Sequence, residues 1–182
     1  MAKNKMTIVQ HTKQKKKKKN SPTEDVKKWI KNFVTVPHPA FGNLPPCPFA
    51  QKAIVEKKVE FQELSNLDDF RSIYQRIWTF DFEAKEVLVL IADKELFSAT
   101  DTEVLADELN FRLMPKDIVV LEDHPNTVEK VANVKLNQGT YMLLLVQSLS
   151  RLNKFAKMLD SGPYYKKWDK KYLESVRGFR EK

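Results

Sequence analysis

The chain has one cysteine, four glycines and three histidines in 182 residues, and each shortage removes a class of function. A single cysteine, Cys47, forms no internal disulfide, and His11, His38 and His124 are too far apart to give a zinc-ligand pattern with it. So few glycines leave no glycine-rich phosphate loop. No apolar run approaches the ~18 residues that span a bilayer. The longest, Tyr141-Met142-Leu143-Leu144-Leu145-Val146, has the length of a strand. The opening residues, Met1-Ala2-Lys3-Asn4-Lys5, lack a secretory apolar core, so the expected compartment is a reducing cytoplasm.

What the chain does have is charge, unevenly placed. Its net charge is +8, and residues 1–20 hold eight lysines and no acid, so they account for all of it. Of the rest, residues 166–182 are locally basic and the body between is mildly acidic. The domain itself is therefore not expected to be a basic nucleic-acid binder. Residues 1–20 have low hydrophobicity and one charge sign, which predicts a disordered arm.

A hydrophobic share of 42% fills a core without metals or disulfides as staples. Ser21-Pro22-Thr23-Glu24 is a capping box, followed at helical spacing by Val26, Trp29, Ile30 and Phe33. Pro37 and Pro39 end that helix, and a proline-rich loop leads to Cys47-Pro48-Phe49-Ala50, where a short second helix is expected from Pro48. Strands are expected around Val59–Leu64, at Val87–Ile91, Ile118–Leu121 and Tyr141–Val146. Helices lie between them: one with a stripe from Leu67 to Trp78, one capped by Thr100-Asp101-Thr102-Glu103, and one opened by Ser148. This alternation predicts a single α/β domain over residues 21–162, either ferredoxin-like or a small open α/β sandwich, with helices on a sheet of about four strands. Residues 163–182 form a basic aromatic helical extension.

Cys47 is the first candidate site residue. Directly before Pro48 it takes an N-cap-like position, where free amides and the helix dipole favour a thiolate. That placement suits a nucleophile, a peroxide-reactive thiol or a metal-binding thiolate. The plainer reading is a buried core cysteine. A Cys-Pro pair also occurs in haem ligation, but a dipeptide singles out no cofactor, and none is implied. His124 follows an apolar strand, where open α/β sheets present ligand-facing residues, and as Asp123-His124-Pro125 it suits a base for Cys47 with Asp123 or Asn126 orienting it. The plainer reading is a solvated loop histidine. His38 is a further candidate by its nearness in sequence to Cys47.

The lysines Lys13, Lys15, Lys16, Lys17, Lys18 and Lys19 are the candidate polyanion contacts, with nucleic acid or an acidic surface as partner. A solubilising tail is the plainer alternative. The run Tyr164-Tyr165-Lys166-Lys167-Trp168 offers aromatics to stack on bases, or else a terminal helix that docks its rings on the body while its lysines stay in water.

Trp29 with Phe33-Val34, Cys47-Pro48-Phe49-Ala50, His124-Pro125, Val131-Ala132-Asn133 and Tyr141-Met142-Leu143 together resemble an uncharacterised bacterial family with a Cys-Pro-Phe-Ala signature, domain of unknown function 1415. The resemblance spans roughly residues 24–155 and implies that Cys47 and His124 work as a pair. Two expectations result: a small cysteine-dependent enzyme or redox protein using Cys47 with His124, or a non-catalytic binding protein tethered to an anionic partner by its lysine-rich arm.

Overall fold

A computed structural model describes residues 20–180. The expected arm at 1–20 lies almost wholly outside those residues. Among the described residues the fold is a mixed four-stranded sheet, a separate two-stranded hairpin and six α-helices. Strands β1 (Val59–Glu63), β2 (Val87–Asp93), β3 (Ile118–Asp123) and β6 (Tyr141–Ser148) form the sheet in the order β1-β2-β6-β3. β1 runs parallel to β2, and β6 runs antiparallel to both β2 and β3, which makes β1, β2 and β3 mutually parallel. A ferredoxin-like chain order is βαββαβ, whereas here two βα units precede β3, so the open sandwich is the arrangement adopted.

The crossovers through α3 (Phe70–Trp78) and α4 (Ala99–Leu113) both step the same way across the sheet. A single favoured crossover hand then puts both helices on one face. That face holds the main core, where Ile73, Ile77, Leu105, Leu109 and Leu113 pack on Leu88, Leu90, Met142, Leu144 and Val146. Most of these side chains are fully buried, each contributing about 1.5–3 kcal/mol of burial. On the other face α1 (Pro22–Trp29) lays Val26, Trp29 and Ile30 over Val89, Ile91, Tyr141 and Leu143. β6 lies between two strands and under helices on both sides, which explains its unbroken apolar run.

Local signals account for most boundaries. Ser21 and Glu24 form the expected reciprocal capping box, and Ser148 caps α5 (Leu149–Asp160). Before α4 the box is instead Ser98 with Asp101, two residues earlier than the Thr100 expectation. Serine two positions upstream reaches the N3 amide equally well, and the helix takes the earlier start. Helix α1 passes into one π-helical turn at Ile30–Val34 before the prolines stop it. α2 (Ala50–Val55) starts at Ala50 with Phe49 at its N-cap, and Pro48 sits in the turn before it.

β3 is an edge strand, and its middle residue is guarded. The buried Asn110 side chain of α4 accepts from the Val120 amide at 2.8 Å and donates to the Val120 carbonyl at 2.9 Å. One side chain thus closes the two backbone groups that would otherwise invite another strand. Between β3 and β6 the chain adds a small hairpin, β4 (Lys130–Val131) and β5 (Val134–Lys135). Its turn holds Ala132 in the left-handed region at φ 53, where glycine or asparagine is usual, so the sequence did not announce it. The hairpin, the Pro39–Phe41 turn and the C-terminal residues build a third cluster around Phe41, Val131 and Tyr164.

Candidate functional site

The three parallel strands end in Glu63, Asp93 and Asp123, so one end of the sheet is edged with carboxylates. This is the end at which open α/β sheets commonly bind ligands. Among the described residues, however, no group of three or more His, Cys, Asp or Glu side chains is arranged to hold a metal ion. Glu63 accepts from the amide and hydroxyl of Thr23, and Asp25 accepts from the Tyr141 hydroxyl at 3.2 Å. These carboxylates tie α1 to the sheet end.

His124 and Asp123 stand together at the tip of β3, both buried. The Asn137 side-chain amide joins them, donating to Asp123 Oδ1 at 2.9 Å and to the His124 carbonyl at 3.2 Å. The Gln138 amide donates to Asp123 Oδ2 at 2.7 Å. Burial nonetheless raises the Asp123 carboxyl pKa, outweighing these bonds. Asp123 does not bond the His124 ring. That ring donates from Nε2 to the Phe97 carbonyl at 3.0 Å, with the Lys94 carbonyl at 3.3 Å, and accepts the Asn126 amide on Nδ1 at 3.2 Å. These partners fix the Nε2–H tautomer and occupy both nitrogens. The imidazole pins the end of β3 to the loop between β2 and α4.

Cys47 lies elsewhere, in the bend between the proline loop and α2, and is exposed. Its amide donates to the Val34 carbonyl at 3.1 Å, and its carbonyl accepts from Ala50 at 3.2 Å. The sequence places the sulfur near free amides, and the backbone amides of Phe49 and Ala50 do act on it. Desolvation by the surrounding protein exceeds their effect, so the thiol pKa is pushed up rather than down. Cys47 and His124 share no hydrogen bond. His38 is also exposed and caps the Pro39–Phe41 turn, its Nδ1 accepting the Ala40 amide at 3.1 Å.

The C-terminal residues hold the Cys47 loop from outside. The Tyr164 hydroxyl donates to the Pro46 carbonyl, and Pro163 packs so tightly on Gly42 that an added Cβ there would lie 2.6 Å from it. Tyr164 and Trp168 pack on Phe41 and on each other, Tyr165 meets Tyr164 edge-on, and Tyr172 stacks on Trp168. These rings are docked on the body, while Lys166, Lys167, Lys170 and Lys171 are exposed.

Two features escaped the sequence. Glu122 and Glu129 are carboxyls whose pKa values are each pushed up to about 7. Burial is the main cause for both; Glu103, Glu129 and Asp107 add repulsion at Glu122, and Asp123 adds it at Glu129. Alternation along β3 puts Glu122 on the same face as Val120, toward α4, and no residue pattern flags it as special. The second is an open, nearly flat surface on the outer face of α5, lined among the described residues by Ser150, Asn153, Lys154, Lys157 and Met158. A continuation is lined by Arg151, Lys154 and Phe155. Among the described residues that line this surface there is no acid.

In comparison with known proteins, the chain matches no family model, no curated protein and no solved structure. No helix among the described residues is long and apolar enough to cross a membrane.

Proposed function

We propose that this protein is a non-catalytic binding protein for an anionic polymer, nucleic acid foremost, engaged through its basic chain ends. The observation that carries this reading is the division of labour in the C-terminal segment. Its aromatic rings are spent on the third cluster, and its lysines at 166, 167, 170 and 171 remain in water. Lysines without buried partners act as point charges for phosphate. The eight lysines at residues 1–20, with Lys13 and Lys15–Lys19 foremost, supply the same chemistry at the other end. The test is titration of a labelled oligonucleotide at several salt concentrations. If all eight arm lysines met phosphates, log affinity would fall against log salt with a slope of about −7. Binding indifferent to salt would overturn the proposal.

A second reading, a cysteine-dependent enzyme or redox protein using Cys47 with His124 and Asp123, rests on the exposed thiol facing two amides. It requires thiolate at neutral pH and an imidazole released from Asn126. Alkylation rate against pH, in the parent and in His124→Ala, separates the outcomes. We expect an inflection above the free-thiol value of about 8.5 that is unmoved by the substitution. An inflection below that value, shifting in the variant, would restore the pair.

A further inference from the structure

The sheet has two edges, and they are treated differently. On β3 the Asn110 side chain closes the amide and carbonyl of Val120. β1 is the other edge, with β2 as its one strand neighbour among the described residues. Two bonds flanking the β1–β2 ladder fix which backbone groups of β1 point outward. The Leu64 amide donates to the Ile91 carbonyl at 2.7 Å, and the Lys58 carbonyl accepts from the Val87 amide at 3.2 Å. Lys58, Glu60, Gln62 and Leu64 therefore turn their amides and carbonyls toward β2, and Val59, Phe61 and Glu63 turn theirs away from it. Among the described residues these outward amides and carbonyls have no hydrogen-bond partner. β1 contains no proline and its register with β2 is unbroken, so two common defences of an edge are missing.

We infer that β1 is a self-association edge, at which two copies of this chain pair antiparallel about a two-fold axis through Phe61 and join their four-stranded sheets into one of eight strands. The inference goes beyond the polyanion reading and does not depend on it. The residues of the edge favour a second copy in this register. Centred on Phe61, Val59 meets Glu63 and Glu60 meets Gln62, so all three outward residues of each copy are bonded and no like charges lie directly opposite. The Gln62 side-chain amide already donates to the Glu60 carboxylate within one strand at 2.8 Å, and the same two groups are complementary across the axis. The two Phe61 rings stand side by side as an aromatic cross-strand pair. A two-fold at Glu60 instead sets two carboxylates against each other, and one at Gln62 puts Val59 opposite Ser65, beyond the strand. An unrelated extended peptide would use the same backbone groups but has no need of this self-complementary order.

The test is sedimentation of the full chain at fixed salt, over concentrations from low micromolar to hundreds of micromolar. We expect a monomer–dimer equilibrium. Gln62→Glu sets a carboxylate against Glu60 on both sides of the axis and should raise the dissociation constant about tenfold. Within one chain the new carboxylate lies beside the Arg76 guanidinium, which is 3.4 Å from the Gln62 side-chain oxygen, so an unchanged thermal midpoint is expected to verify folding. Glu60→Gln/Gln62→Glu exchanges the two groups and should restore the parent's affinity, a rescue that a merely structural loss would not show. Val59→Pro removes an outward amide that its own sheet does not use and should leave a monomer. A parent that stays monomeric throughout the series overturns the inference. So does a dimer whose dissociation constant moves with neither Gln62→Glu nor Val59→Pro, because its interface would then lie elsewhere. A chain that dimerises only after deletion of residues 1–19 would assign the edge to the chain's own first residues and would overturn it as well.

Discussion

The β3 tip and the outer face of α5 treat polar groups in opposite ways. At the tip, Asp123, His124 and Asn137 are buried and hydrogen-bonded to one another or to backbone, and the His124 ring has no nitrogen to spare. On α5, Lys154 and Lys157 are exposed and make no salt bridge among the described residues. The tip has the residue types of a catalytic site and the geometry of a fastening. The lysine face has ordinary residue types and leaves its charge in water. Residue identity alone does not separate these two regions, because chemistry depends on which atoms remain available.

The strongest way to break this comparison is to remove the fastening. His124→Ala leaves the Asn126 amide without its ring acceptor and the Phe97 carbonyl without its donor. We expect a loss of about 2–4 kcal/mol in urea unfolding. Stability unchanged within error would mean that the imidazole is not structural, and a catalytic role would regain weight.

A smaller effect should appear in the pH dependence of stability. Glu122 and Glu129 have pKa values raised from 4.5 to about 7, so the native state holds their protons more tightly than the unfolded chain. Stability from this source is fully present below pH 4.5 and is lost as pH rises to about 7. Allowing for the partial exposure of both groups, the combined decline should be about 2 kcal/mol. Glu122→Gln should remove about half of that slope, since the amide carries no charge to bury. Urea midpoints at pH 5 and pH 7.5, compared between parent and variant, decide it. Equal slopes would show that Glu122 is well solvated. Lys154→Gln/Lys157→Gln sharpens the contrast from the other side, since exposed lysines that make no salt bridge among the described residues should leave stability within about 0.5 kcal/mol of the parent.

How far residues alone reached depends on how local their signals are. The capping serines at 21 and 148, the stripe at Ile73 and Ile77 and the apolar run of β6 all encode their structure within a few positions. The start of α4 slipped by two residues because Ser98 and Thr100 are both competent caps. The hairpin at 130–135 was illegible because its turn uses Ala132 at positive φ instead of a glycine. At Cys47 the local argument found the right amides and the wrong balance. The amides are near in sequence, whereas the crowding comes in part from Tyr164 and its neighbours, more than a hundred residues away.

The sequence by itself determined the class of the fold, the separation of charge to the two ends and the order of nearly every strand and helix, because periodicity, capping and net charge are short-range properties. Tertiary structure alone decided that β6 enters between β2 and β3, that Asn110 closes the β3 edge and that both His124 nitrogens are taken. It also decided that Glu122 and Glu129 hold protons near neutrality. Each of these depends on atoms brought together from distant parts of the chain, where burial and hydrogen-bond partners, not residue type, set the energy of a polar group.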